Sequence, residues 1–210
     1  MRRDTTPEDF VEPIPNYKTG RKMRIAIILT MYTKDGERVE LYSKNLKKWS
    51  ESGFDIYCVE SNGYKHDIPG VNYFTFKQGV DMVGKTTSVQ EKNSLNKIFE
   101  YFGNRLFSYD FIFKVTGKYY TKNLKDVLEY IPLDAELLLQ NNTGTYGQNS
   151  EIMGANPKIF FDIVNQIGEK TFEQILFDVA NSDKYKTYRL TPLYFDDKVQ
   201  RSDGLCLEYL

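Results

Sequence analysis

Short apolar runs alternate with segments of helical period from Met23 onward, and few chain folds satisfy that order. Arg24–Leu29, Phe54–Glu60, Val71–Phe76 and Asp110–Val115 read as buried strands, with Glu136–Leu139 and Ile152–Met153 as later ones. Between them Val39, Tyr42, Leu46 and Trp49 recur at helical spacing, as do Leu95, Ile98, Phe99 and Phe102, and then Leu124, Val127, Leu128 and Ile131. Asn156-Pro157 is a helix start, a cap followed by proline in the first turn. Phe160, Ile163, Val164 and Ile167 follow it on one face. A last helix groups Phe172, Ile175, Leu176 and Val179, and Tyr188–Phe195 closes the pattern as an edge strand broken by Pro192. Strands alternating with helices specify an α/β domain with a mostly parallel central sheet, flanked by helices on both faces. Such sheets bind ligands at the carboxyl ends of their strands.

Residues 1–22 hold Pro7, Pro13 and Pro15 without apolar periodicity, so they read as an extended arm ahead of a single domain over 23–210. A chain of 210 residues with 40% hydrophobic content is large enough for one proper core. With 28 Lys+Arg against 29 Asp+Glu it has no overall basic field for nucleic acid or anionic lipid. No apolar run approaches a membrane span, and Met1-Arg2-Arg3-Asp4 leads into polar residues rather than a signal core. The single histidine, His66, makes two-His metal motifs impossible, while Cys58 and Cys206 are too few for a disulfide framework. Both cysteines have apolar neighbours and read as buried thiols of a reducing compartment, which makes the cytoplasm the expected location. The apolar ending Leu205–Leu210 raises the expectation of further domains beyond Leu210.

The expected ligand loops can be read in turn. Thr30-Met31-Tyr32 follows the first strand without a glycine-rich turn, which argues against dinucleotide, S-adenosylmethionine and P-loop sites. Thr30 and Tyr32 either hydrogen-bond to and stack on a base or simply finish the strand, and Glu60 ends the second strand either as a carboxylate that receives a ribose hydroxyl or a base N–H or as part of a solvated acidic turn. Lys114 interrupts the apolar strand Phe111–Val115, and a buried lysine is expensive unless it meets an anion. Thr116-Gly117-Lys118 follows, with Gly117 permitting a tight turn that returns Lys118 to the same place. Two cations about one turn suit a phosphate or diphosphate.

The segment Phe111–Tyr119 resembles the Lys-hydrophobic-Thr-Gly-Arg-Tyr motif of small capsule and surface-glycan glycosyltransferases, with Lys118 in place of Arg. In size and style the chain is similar to the GT-A-fold enzymes that large chlorella viruses encode for capsid glycans. The resemblance covers about Met23 to Gly204 and implies a single GT-A-like domain, a viral protein working in host cytoplasm, and transfer of a sugar from a UDP-sugar donor to a glycan or glycoprotein acceptor hydroxyl, with inversion. It implies donor contacts at Lys92, in the segment Gln90–Asn93, and at Arg201 and Ser202 in a late loop. It also implies a catalytic base at Glu173, with Glu151 in reserve. Most such enzymes hold Mn2+ or Mg2+ with Asp-x-Asp, and no Asp-x-Asp occurs here. Either lysines neutralise the diphosphate without metal, or Asp196, Asp197 and Asp203 hold the ion. The missing acidic pair also keeps open a non-catalytic nucleotide- or glycan-binding module of the same fold.

Overall fold

The computed structural model describes residues 23–140, 148–190, 192–200 and 206–209, with the backbone alone at 197–200 and 206–209. In chain order the elements are β1 (Ile25–Met31), α1 (Gly36–Ser50), β2 (Asp55–Glu60), β3 (Val71–Thr75), a 3-10 turn (Val80–Met82), α2 (Thr87–Leu106), β4 (Phe111–Thr116), α3 (Leu124–Leu128), β5 (Leu137–Gln140), β6 (Ile152–Ala155), α4 (Pro157–Gln166), α5 (Phe172–Ala180), β7 (Thr187–Leu190), β8 (Tyr194–Gln200) and β9 (Cys206–Tyr209). Seven strands form one sheet in the order β3-β2-β1-β4-β6-β5-β7, and β8 pairs with β9 apart from it. All ladder pairs of the large sheet are parallel except those of β6, which runs against both β4 and β5. This is the expected α/β architecture with a mostly parallel sheet, consistent with a single GT-A-like domain.

Period-two alternation on the strands divides the core between the two faces. Ile27, Leu29, Met31, Phe113 and Val115 pack with Tyr42, Leu46 and Trp49 of α1. Ala26, Ile28, Ile112 and Met153 pack on the opposite face with Leu95 and Ile98 of α2, Phe160 of α4 and Phe172 of α5. Each fully buried aromatic or aliphatic side chain contributes about 1.5–3 kcal/mol, so burial on both faces defines which residues of each strand must be apolar. Lys114 breaks that rule on the second face, opposite Ile28 of β1 and Met153 of β6.

Two sequence expectations change. Tyr188–Phe195 is two strands: β7 at the sheet edge, and β8, which joins β9. Pro192 between them has no N–H for a ladder, so the chain leaves the sheet there. The third helix is a short turn ending at Leu128, and Ile131 lies beyond it before Pro132, which restricts the residue ahead of it to extended backbone. Residues 1–22 are outside the described residues.

Candidate functional site

Parallel strands followed by crossover helices put helix N-termini at the carboxyl edge of the sheet. Here α1 starts there behind the Asp35 cap and α2 behind the Thr86 cap. Because β6 is antiparallel, Glu151 and Ile152 lie at that same edge, and α4 runs back toward it, so α5 also begins there, in a capping box made by Thr171 and Gln174. Three helix N-termini thus face one region, each carrying partial positive charge.

A cleft of about 410 Å³ opens between them. Its lining includes three cations, Lys34, Arg38 and Lys118, and three carboxylates, Glu91, Glu151 and Glu173. Lys34 also pairs with Asp35 at 3.6 Å, so its charge is partly offset. Burial, and after it the neighbouring Arg38 guanidinium, holds the Lys118 ammonium below the ordinary lysine range. A group in that state gains from an incoming anion. The turn that carries it is pinned from α1: buried Asn45 donates to the Lys118 carbonyl at 2.5 Å, and Trp49 Nε1 donates to the Tyr119 carbonyl at 3.0 Å.

Among the carboxylates, Glu173 Oε1 accepts from the Ser150 hydroxyl at 2.5 Å, and Glu151 Oε2 accepts from Gln140 Nε2 at 2.8 Å. Glu91 differs, since its Oε1 meets the Lys114 ammonium at 2.9 Å and the Thr30 hydroxyl at 2.7 Å, and its charge is already compensated. Thr30 and Thr116 also line the cleft, as does Tyr32, which is 46% exposed. Gly117 has φ outside the left-handed region. Its lack of a side chain serves space instead, because a Cβ there would lie 2.5 Å from Met31 Cγ. The tight-turn explanation of this glycine therefore gives way to close packing.

Other expected site residues lie elsewhere. Lys114 is fully buried beneath the cleft and is not among its lining residues. Lys92 donates to the carbonyls of Asn165 and Ile167 and so closes the end of α4, while its neighbours Gln90 and Glu91 line the cleft. One residue along a helix is a rotation of about 100°, which is enough to move a side chain off the site. Glu60 is fully buried and accepts from the backbone N–H groups of Thr33, Asn62 and Tyr64, so it shapes two loops and has no exposed carboxylate to offer a ribose. His66 is also buried, its ring nitrogens bonded to Thr33 and Ser43 hydroxyls, and burial lowers its pKa.

Asp196 was expected to hold metal, but its carboxylate is bound by Lys48 and Lys122. Burial raises its pKa and the two lysines outweigh that, leaving it below the usual carboxylate range. Lys48 sits about 15 Å down the α1 axis from Arg38, toward the opposite edge of the sheet. Among the described residues no group of three or more His, Cys, Asp or Glu side chains is arranged to hold a metal ion. Those residues therefore do not fit a bound divalent cation at Asp196. Arg201, Ser202 and Asp203 lie outside the described residues, as does the side chain of Asp197.

Sequence reasoning missed Lys34 and Arg38. Their signal was position alone, one in the loop after β1 and one in the first turn of the helix that follows.

No protein-family model and no curated protein matches the chain. Among solved structures it is similar to the glycosyltransferase GlyE of Streptococcus pneumoniae, at 14% identity and a TM-score of 0.47, covering 81% of this chain and 46% of that one. The chain thus spans about half the length of that enzyme. It is also similar to a glycosyltransferase involved in glycosylation of the major capsid of PBCV-1, at 12% identity, 79% and 81% coverage and a TM-score of 0.45. A cytidylyltransferase from Leptospira borgpetersenii matches at 14% identity, 89% and 82% coverage and a TM-score of 0.48. Likenesses of this size assign no residue and no chemistry to the chain.

Proposed function

We propose that the chain is a glycosyltransferase that moves a sugar from a UDP-sugar to a hydroxyl of a glycan or glycoprotein acceptor, with inversion at the anomeric carbon. The observation that carries the reading is a single cleft lined both by Lys34, Arg38 and Lys118 and by Glu151 and Glu173. As the anomeric C–O bond breaks, negative charge grows on the leaving diphosphate, and preorganised cations and helix N-termini aimed at it lower the barrier. Glu173 takes the acceptor proton as general base, and Glu151 hydrogen-bonds the acceptor beside it. Tyr32 offers a face to the nucleobase. Charge stabilisation by the three cations, without a metal ion, is part of the proposal. So is a cytoplasmic setting, supported by the buried free thiol of Cys58.

Calorimetric titration with UDP, GDP and CMP, each with and without Mn2+, tests the binding half. UDP release from UDP-sugars with a glycan acceptor present tests the transfer half. The reading expects UDP binding without Mn2+, and transfer reduced about 100-fold or more in Glu173→Gln. UDP binding with no transfer from any donor would instead favour a nucleotide-binding module of the same fold. Absence of nucleotide binding altogether rejects both.

A further inference from the structure

Lys114 is a buried charged group that the chemistry above leaves unused, with only 1% of its side chain exposed. Its three protons meet three acceptors: Glu91 Oε1 at 2.9 Å, Thr116 Oγ1 at 3.2 Å and the Ser150 carbonyl at 2.5 Å. The Phe172 ring centre lies 5.3 Å from the same nitrogen. These partners come from α2, β4, the residues before β6 and the start of α5, so a single ammonium ties together the segments that carry Glu91, Glu151 and Glu173. Stability alone does not explain such a device, since apolar residues of similar volume often replace a buried ion pair at no loss.

The consequence lies one residue further on. Ser150, held through its carbonyl by Lys114, turns its hydroxyl onto Glu173 Oε1, and the neighbouring Gln148 N–H donates to the Glu173 carbonyl at 3.2 Å. The direction of the Glu173 carboxylate therefore depends on where Ser150 is held. We infer that Lys114 is a positioning residue that aims Glu173 into the cleft through Ser150, and is not a contact to the donor diphosphate. The inference rests on the reading of Glu173 as the base.

Three variants test it. Lys114→Met alone strands the part-buried Glu91 carboxylate and lowers the melting temperature by about 10 °C. Lys114→Met combined with Glu91→Gln removes both charges and recovers most of that loss, yet kcat stays about 10–100-fold down with KM for the donor unchanged. Ser150→Ala lowers kcat about tenfold at wild-type stability, and Ser150→Thr, which keeps the hydroxyl, recovers it. Wild-type kcat in both the double variant and Ser150→Ala overturns the inference. A crystal structure of the double variant gives a readout free of activity: Glu173 turned away from Ser150 supports the inference even if no donor is ever consumed, a result that would fail only the proposed function. Glu173 unmoved in that structure overturns the inference.

Discussion

Gly154 shows how little freedom single residues have near the sheet centre. A Cβ there would sit 2.3 Å from Cε1 of the Phe113 ring, which is rigid and fully buried, whereas the Cβ of an alanine at 117 would meet the flexible Met31 side chain. Gly154→Ala should therefore cost about 1–3 kcal/mol in chemical denaturation, and more than Gly117→Ala. Lys118 carries a second prediction at this scale. Its ammonium holds its proton less tightly than a free lysine, whose ordinary value is 10.5, so the charge is lost at lower pH. For folding the sign is that rising pH favours the native state between the lowered value and 10.5, because the unfolded chain there binds more protons. For the ligand the sign is opposite. UDP affinity, followed by calorimetry from about pH 7 to about pH 10, should fall as pH rises, and Lys118→Met should be weaker at neutral pH and flatter above it. A profile in Lys118→Met that matches the wild type removes Lys118 from the site.

At the scale of elements, the cleft depends on helix starts and on one buried helix face. Thr171 caps α5 and donates structure to the turn that bears Glu173, its side chain accepting from the Gln174 N–H at 3.3 Å. Thr171→Ala should destabilise the fold by about 1 kcal/mol, read as a lower denaturation midpoint with an unchanged slope. The first helix does a different job. Its buried face carries Tyr42, Leu46 and Trp49 for the core, as the periodicity foretells, but also Asn45, which no apolar pattern reveals. Asn45 and Trp49 fasten the carbonyls of the turn that presents Lys118. Helix, turn and cation are therefore one unit, and the packing of α1 decides where a charge stands in the cleft.

For the whole molecule, a ligand that binds only the native state raises stability by mass action. UDP at about 100 times its Kd should add about 2.7 kcal/mol, which for a domain of this size is a rise of about 5–10 °C in melting temperature. Arg38→Ala and Lys118→Ala should each reduce that shift while leaving the unliganded melting temperature near the wild-type value. An equal shift in all three proteins would mean that the nucleotide sits elsewhere. No described helix is long and apolar enough to cross a membrane.

Strands β1 to β4 and helices α1, α2, α4 and α5 were legible in the amino-acid order because burial on one or two faces imposes a period that local pattern displays. The candidate cleft was legible in part: Thr30, Tyr32, Thr116, Lys118, Glu151 and Glu173 all line it. What could not be read was pairing between distant segments. The reversal of β6 brings Glu151 to the carboxyl edge, the rotation of α2 presents Glu91 in place of Lys92, and the burial of Lys114 turns an apparent ligand contact into an internal tie. The sequence by itself determined the class of fold, the edge of the sheet where the candidate cleft opens and the scarcity of histidine and cysteine. Only the tertiary structure decided which charges reach that edge, because a side chain's direction and partners depend on contacts between residues far apart in the chain, which no local period encodes.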